Sequence, residues 1–418
     1  MRKSTVSFCT MPVLVIIIML LPGCLKDTVT KTYKIYSPVY QTSAELRDNI
    51  KSNASQKISN PGKIFLRDKY IFLSEINKGV HIIDNSNPAA PKNMAFINIP
   101  GNMDLAVKGN ILYADLYSYL VAIDITDPLK ASAKILINNA FPERRNTNGF
   151  SADSNKIITE WVSRDTTVNE DQLKNKVIQS CTTCSMGSPL SSMFPGTAST
   201  TGTGGSMARF SIIKNSLYTV TTSNLNVYSI ASPENPVVVN KLAMGWGIET
   251  IFPFKDKLFI GSSDGVYIYD VADENNPLKI GQFNHVTSCD PVITDGKYAF
   301  ATLSSGARCR NASNVLDVLD VSSLSNPSLI KSYPMINPHG LSKDGNNLFV
   351  CDGTDGLKMY NATDVNKLTL INHIKGFDTY DVIATNNLAI VVAKDGLRQY
   401  NYSNINDLRL LSKLGWAE

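Results

Sequence analysis

The 418-residue chain has little of what most catalytic proteins display openly. It holds only four histidines and three tryptophans. No His-Glu-x-x-His helix, phosphate-binding glycine loop or acidic calcium loop occurs, so no motif signals those chemistries. Charge of one sign is scarce too. Lys and Arg number 40 against 36 Asp and Glu, a formal charge of +4. Without Arg2 and Lys3, which leave with the leader described next, about +2 remains, which gives no electrostatic case for nucleic acid. Beyond Leu21 no stretch approaches ~18 consecutive apolar residues, the length of a membrane-crossing helix. Hydrophobic residues at 43% and charged residues at 18% otherwise describe an ordinary globular chain.

What is present begins at the N-terminus. Arg2 and Lys3 precede Met11 to Leu21, an almost wholly apolar run. That run as a helix spans about 16 Å against a hydrocarbon core of ~30 Å, so it suits a secretory signal better than a crossing anchor. Leu21-Pro22-Gly23-Cys24 resembles the lipobox cut by the bacterial lipoprotein signal peptidase. The resemblance implies that Cys24 becomes the first mature residue and carries acyl chains, which at ~0.8 kcal/mol per buried CH₂ hold a protein firmly on a membrane. An ordinary signal peptide with a chance cysteine is the alternative. Leu25-Lys26-Asp27 lacks the immediate Asp that retains enterobacterial lipoproteins in the inner membrane. Outer membrane is the expected location, with the cell surface one of two orientations.

Further along, one pattern returns. From Lys257 to Ile280 an alternating run at Leu258 to Ile260 meets the turn Ser262-Ser263-Asp264-Gly265. A second run, Val266 to Val271, leads to a polar loop closed by Asn276-Pro277 and another strand from Leu278. Before the unit, Thr250 to Phe254 is joined to it through Lys255-Asp256. Period-two alternation between Gly, Asn, Asp and Pro marks short strands, four of which make one antiparallel meander. Equivalent second strands begin near Ile71, Ile111, Ile157, Leu217, Leu258, Tyr298, Leu348 and Leu388, at steps of 40, 46, 60, 41, 40, 50 and 40 residues. A four-strand period near 40 residues is propeller spacing, because a lone meander cannot bury both faces whereas radially stacked blades can. An open solenoid or a pair of sandwiches would hold so regular a period less readily.

The third strands include Val80-His81-Ile82-Ile83-Asp84, Leu120-Val121-Ala122-Ile123-Asp124 and Leu316-Asp317-Val318-Leu319-Asp320. Asn60-Pro61-Gly62-Lys63, Ala106-Val107-Lys108-Gly109-Asn110, Gly205-Ser206-Met207-Ala208-Arg209-Phe210 and Asn337-Pro338-His339-Gly340-Leu341 accompany them. On these segments the chain resembles the LVIVD-repeat proteins, among them a group of Bacteroidota lipoproteins, from about Tyr33 to the C-terminus. The resemblance implies an exported β-propeller and says little about activity.

The expected fold is therefore all-β, a single propeller of four-stranded antiparallel blades. Innermost strands starting near Lys63, Met103, Phe150, Ala208, Thr250, Pro291, Gly340 and Tyr380 favour eight blades. Only seven outer hairpins are clear, so seven is the alternative. Residues 1–23 form the signal, 24–60 a tether and 61–418 the propeller, with an insertion around 165–206. Ser43 to Lys51 reads as a short helix capped by Ser43. Ser185 to Ser206, rich in Ser, Thr and Gly, has too little apolar surface to offset its ordering entropy and reads as a mobile loop.

After Cys9 leaves with the signal and Cys24 is acylated, five cysteines remain for an oxidising compartment. Cys289 lies just before one innermost strand and Cys309 just past its partner, so a bridge there would contribute about 3 kcal/mol. Cys181 and Cys184 have CxxC spacing. Redox chemistry lacks its helix N-terminus and a metal site lacks a second ligand pair, leaving a local disulfide as the stronger reading. Cys351 alternates inward on an apolar strand.

In a propeller the loops entering the innermost strands surround the channel on one face, where ligands commonly bind. These loops collect Asn102, Asp104, Glu143, Arg144, Arg145, Trp246, Glu249, His285, Asp290, His339, Asp378 and Tyr380. Adjacent arginines suit a carboxylate or phosphate held in fork geometry. Each residue also has a plain structural reading: loop-end solvation, packing of Trp246 at a blade junction, or a turn-stabilising bond from His339. No catalytic or metal-ligating residue is assigned. The expected function is non-enzymatic binding of a protein, glycan or small ligand by an envelope-anchored propeller. The alternative is a metal-assisted hydrolase or lyase using Asp104, Glu249, Asp290 and Asp378, since every blade contributes one loop and propellers host both. No cofactor is expected, calcium being the open alternative. The membrane, through the lipid, is the expected partner besides that ligand.

Overall fold

The computed structural model describes residues 30–144, 146–147, 150–151, 156–169, 203–285, 291–305 and 314–416. Two compact units are distinguished: residues 1–39 with 160–188, and residues 40–159 with 189–418. The described residues of the first belong to a two-stranded ribbon that pairs Thr30–Thr42 with Lys156–Asn169.

The second unit is built from seven four-stranded antiparallel meanders at residues 61–98, 105–137, 210–243, 248–284, 292–334, 341–374 and 379–415, blades 1 to 7. Strands pair in chain order within each blade, and from blade 1 to blade 7 the first strands of successive blades lie side by side around the axis. Because each sheet is covered on both faces, alternation gives way to continuous burial: Ile111–Leu116 is buried along its whole length, and Tyr119–Asp124 in all but its last residue. That last residue has its own task. Asp84, Asp124, Asp270, Asp320, Asn361 and Asn401, each closing a third strand, accept the amide two residues on and so start the turn to the outermost strand. In every blade a bulge then interrupts pairing of the outermost strand. Such bulges increase local twist and discourage edge-to-edge pairing.

The ring closes by packing. Ile64, Ile71 and Ile83 of blade 1 share a core with Ile383, Ile390 and Leu397 of blade 7. Asn85 and Gln399 exchange side-chain hydrogen bonds of 2.9 and 2.6 Å across the same junction. Blade 1 is extended at both edges, by Thr203–Gly204 against Leu66 and Phe65 and by Ser52–Ala54 against Ile97, Phe96 and Ala95. A helix of about two turns, Ser43–Asn49, buries Leu46 against blades 1 and 2. Its cap is Thr42 rather than Ser43, in a capping box with Glu45.

The favoured eight blades are corrected to seven. Phe150–Ser151 pairs only with Asn146–Thr147, and Lys156–Asn169, the expected second strand of an eighth blade, pairs with Thr30–Thr42 instead. Alternation made it a strand, but in the sequence no apolar alternating run follows it to complete a meander. Residues 165–169 complete this strand; residues 170–202 of the proposed insertion, with Cys181 and Cys184, lie outside the described residues, as do Cys24, Cys289 and Cys309. Cys351 is a free, buried thiol, as its alternation indicated.

Candidate functional site

Four charged residues meet where the innermost strands begin. Lys63 opens blade 1, Asp104 and Arg209 precede the innermost strands of blades 2 and 3, and Asp381 lies within that of blade 7. Lys63 is 4% exposed, with its ammonium 3.6 Å from Asp104 Oδ2 and donating to the Met207 carbonyl at 3.2 Å. Asp104 accepts the Arg209 amide at 2.6 Å and the Leu105 amide at 2.7 Å. Asp381 Oδ1 accepts the Val382 amide at 2.9 Å. Backbone closes over that carboxylate: a Cβ on Gly205 would stand 1.8 Å from Oδ2, and one on Gly340 2.1 Å from Oδ1. Only glycine fits at either place, which explains both glycine-bearing segments singled out in the sequence. Burial pushes the Asp381 carboxyl up to about 7 and the Lys63 ammonium down to about 8. Burial likewise raises Asp104, against the opposing pull of Lys63.

A second set of carboxylates holds the loops that lead into these strands. Glu75 accepts from the amides of Ser59 and Asn60 at 3.2 and 2.9 Å, from Lys78 at 3.0 Å, and lies 3.2 Å from His81 Nε2. Burial alone would raise its carboxyl, but the bonds from His81, Ser59 and Lys78 hold it well below the usual range. Asp115 accepts the amides of Met103 and Asp104 at 2.8 and 2.9 Å and the Asn102 side chain at 2.9 Å. Asp352 accepts the amides of Ile336 and Asn337 at 2.9 and 2.8 Å and is paired with Lys358.

The predicted residues fall into distinct settings. Arg144 directs its guanidinium at Asp115 and the Gly101 carbonyl, so its fork is occupied within the chain. Glu143 sits beside it, exposed, in the turn Pro142–Arg144; Arg145 and Asp290 lie outside the described residues. The Glu249 carbonyl accepts Arg209 Nε at 3.3 Å. The His285 amide donates to the Asp264 carbonyl at 3.2 Å. His339 lies 3.1 Å from Asn337 Nδ2 and meets the edge of Tyr380 at 6.2 Å between ring centres, a loop-supporting arrangement. Burial lowers the His339 imidazole against Asp378 and Asp352, and raises the Tyr380 phenol to about 12 with Asp378 adding to it. Asp378 is half-buried between them in sequence and charge, its carbonyl accepting the Lys394 amide. Trp246 is different: it is 83% exposed, between Gly245 at φ 92° and Gly247 at φ 88°. Ile336, in the corresponding loop of blade 6, is 57% exposed.

Asp104 was thus read as part of the site, while Lys63, Arg209 and Asp381 were not. Their signal was a charge placed where an innermost strand begins, a position that burial should reserve for apolar groups. Among the described residues no cluster of three or more His, Cys, Asp or Glu has metal-holding geometry. A cleft of about 870 Å³ lies elsewhere, between Ser43–Asn49 and the outer strand of blade 2, lined by Arg47, Lys51, Tyr119 and Leu136 among others. None of its lining comes from the innermost strands.

Comparison with known proteins adds the repeat and the fold. The LVIVD repeat matches residues 58–97, 101–135 and 311–334. No curated protein sequence matches the chain. A protein from Lactobacillus plantarum is similar in structure, with a TM-score of 0.53 and 16% identity, over 85% of this chain and 97% of that one. The periplasmic gluconolactonase of Pseudomonas aeruginosa is similar with a TM-score of 0.52 and 12% identity, over 85% and 96%. At such identities the likeness is one of fold alone.

Proposed function

We propose that this chain is an outer-membrane lipoprotein, anchored through acylated Cys24, whose propeller offers the face around its channel mouth to a protein, glycan or small ligand without catalysing a reaction. The LVIVD segments, which resemble those of Bacteroidota lipoproteins, and the lipobox-like Leu21 to Cys24 support the envelope address. The observation that carries the binding role is Trp246. A tryptophan 83% exposed on a loop hinged by two glycines exposes a large apolar surface to water and gains most when a ligand covers it. On the same face Lys63, Asp104, Asp115 and Arg144 have partners inside the protein. Asp104, a candidate ligand for the metal-assisted alternative, is held by Lys63 and by the Arg209 amide, which weighs against that reading.

The test is a screen of the mature protein against arrayed glycans and envelope proteins, repeated with Trp246→Ala. Truncating an anchor of this kind costs about 2 kcal/mol, so binding is expected to fall roughly thirtyfold. A ligand bound equally well by both, or stoichiometric metal in the purified protein together with hydrolase activity, would sink the proposal. Protease treatment of intact cells reports which side of the membrane the propeller faces.

A further inference from the structure

We propose that the ribbon of Thr30–Thr42 and Lys156–Asn169 lies in the headgroup layer of the membrane that holds the acyl chains, as a second contact beside them; this rests on the reading of Cys24 as lipidated. The ribbon exposes an unusual amount of apolar surface. Tyr33, Ile35 and Tyr36 are 42%, 38% and 52% exposed, and Val162 on the facing strand is 52% exposed. Every residue from Thr30 to Ser37 is exposed. A two-stranded sheet is at best marginally stable in water, because it has too few neighbours to cover its side chains.

The chain before the ribbon limits what can cover it. Five residues lie between Cys24 and Thr30, and the six steps from one to the other at full extension reach about 20 Å. An acylated Cys24 therefore keeps the start of the ribbon within that distance of the bilayer, and so short a link gives a local concentration near the millimolar range. Chemistry favours the same occupant. Tyrosines settle at the membrane–water interface, where ring and hydroxyl meet different surroundings. Lys31 and Lys34 stand in a strand with no acidic residue, which favours anionic headgroups. Successive side chains alternate faces, so Tyr33 and Ile35 point one way and Tyr36 the other. Immersion in the mixed polar layer suits both faces, and water there satisfies the open strand edges that hydrocarbon would not.

The test uses the full acylated chain with Trp246→Phe and Trp416→Phe, leaving Trp161 of the ribbon as the sole tryptophan. It is reconstituted in phosphatidylethanolamine–phosphatidylglycerol vesicles containing lipids brominated near the headgroup. Trp161 emission is expected to fall by about half, and Tyr33→Ser with Tyr36→Ser is expected to remove most of that quenching. Mass analysis of the N-terminal peptide separates the two ideas. Acylated Cys24 with unquenched Trp161, or quenching indifferent to the tyrosines, overturns the ribbon contact and leaves the anchor standing. An unmodified Cys24 overturns the anchor, and quenching in the vesicle-mixed protein then decides the ribbon by itself.

Discussion

The loops leading into blades 2 and 4 occupy the same place in the repeat and behave in opposite ways. In blade 2, Asp115 gathers the amides of Met103 and Asp104 and the side chain of Asn102, with Arg144 laid over it. Asn102 and Asp104 are buried as a result. In blade 4 the second strand ends in Ser262, whose hydroxyl donates to Asp264 at 2.7 Å, and the loop is held through its backbone, the Ser263 amide donating to the Gly247 carbonyl at 2.7 Å. Trp246 then stands in solvent. One carboxylate decides the difference, because it satisfies several loop amides at once and draws the backbone inward. Blades 1 and 6, through Glu75 and Asp352, side with blade 2. Among the described residues the propeller therefore combines loops tied down by a carboxylate, one of which still exposes Ile336, with the blade 4 loop that presents Trp246.

The comparison is broken most severely at Asp352, which is fully buried. Asp352→Ala leaves the amides of Ile336 and Asn337 without their acceptor and takes one partner from Lys358. Removing one member of a buried pair costs about 3–5 kcal/mol. Lys358 retains Asp355 at 2.8 Å, so the lower end, about 3 kcal/mol, is expected in urea unfolding. A loss below about 1 kcal/mol would mean that the carboxylate does not organise its loop.

A change of opposite sign is expected at Asp381. Burial lifts its carboxyl to about 7, outweighing the Val382 amide and the Lys63 ammonium, whereas an unfolded aspartate sits near 3.9. Between those values the folded chain holds a proton that the unfolded chain has released. Stability therefore falls as pH rises through the window, and the whole penalty persists above it. Asp381→Asn keeps an acceptor for the Val382 amide and removes the ionisation, at the cost of one charge near Lys63. A gain of about 2 kcal/mol at pH 8, closing to nothing near pH 4, is the expected pattern in denaturation series. A difference independent of pH would show that the carboxyl titrates normally.

How much of this was legible in sequence follows from what each pattern encodes. Alternation and turn residues located the second strands at Ile71, Ile111, Leu217, Leu258, Tyr298, Leu348 and Leu388, all of which lie in second strands. The same alternation at Ile157 found a strand but could not say which partner it takes, and the partner is Thr30–Thr42 rather than a blade neighbour. Pairing across more than a hundred residues leaves no local signature. The site shows the same limit. Arg144 looked like an open fork because Asp115, its partner, sits within an apolar strand that reads as core. Lys63 and Asp381 belong to opposite ends of the chain and meet only because the ring closes.

The smallest effect sharpens the comparison most. Trp246→Ala is expected to leave folding stability within about 1 kcal/mol of the parent. A tryptophan buries about 150–250 Å² when fully enclosed, and at 83% exposure only a small part of that is withdrawn from water. At about 25 cal/mol per Å² the loss is on the order of 1 kcal/mol or less, and neither neighbouring glycine adds a strained side chain. Thermal unfolding decides it. A loss above about 2 kcal/mol would mean that the indole packs between blades, the structural alternative the sequence allowed, and that the loop of blade 4 is tied down after all. Unchanged stability with weakened ligand binding would separate presentation from support at a single residue, which no substitution at Asp115 or Asp352 can do, because there the two consequences arrive together.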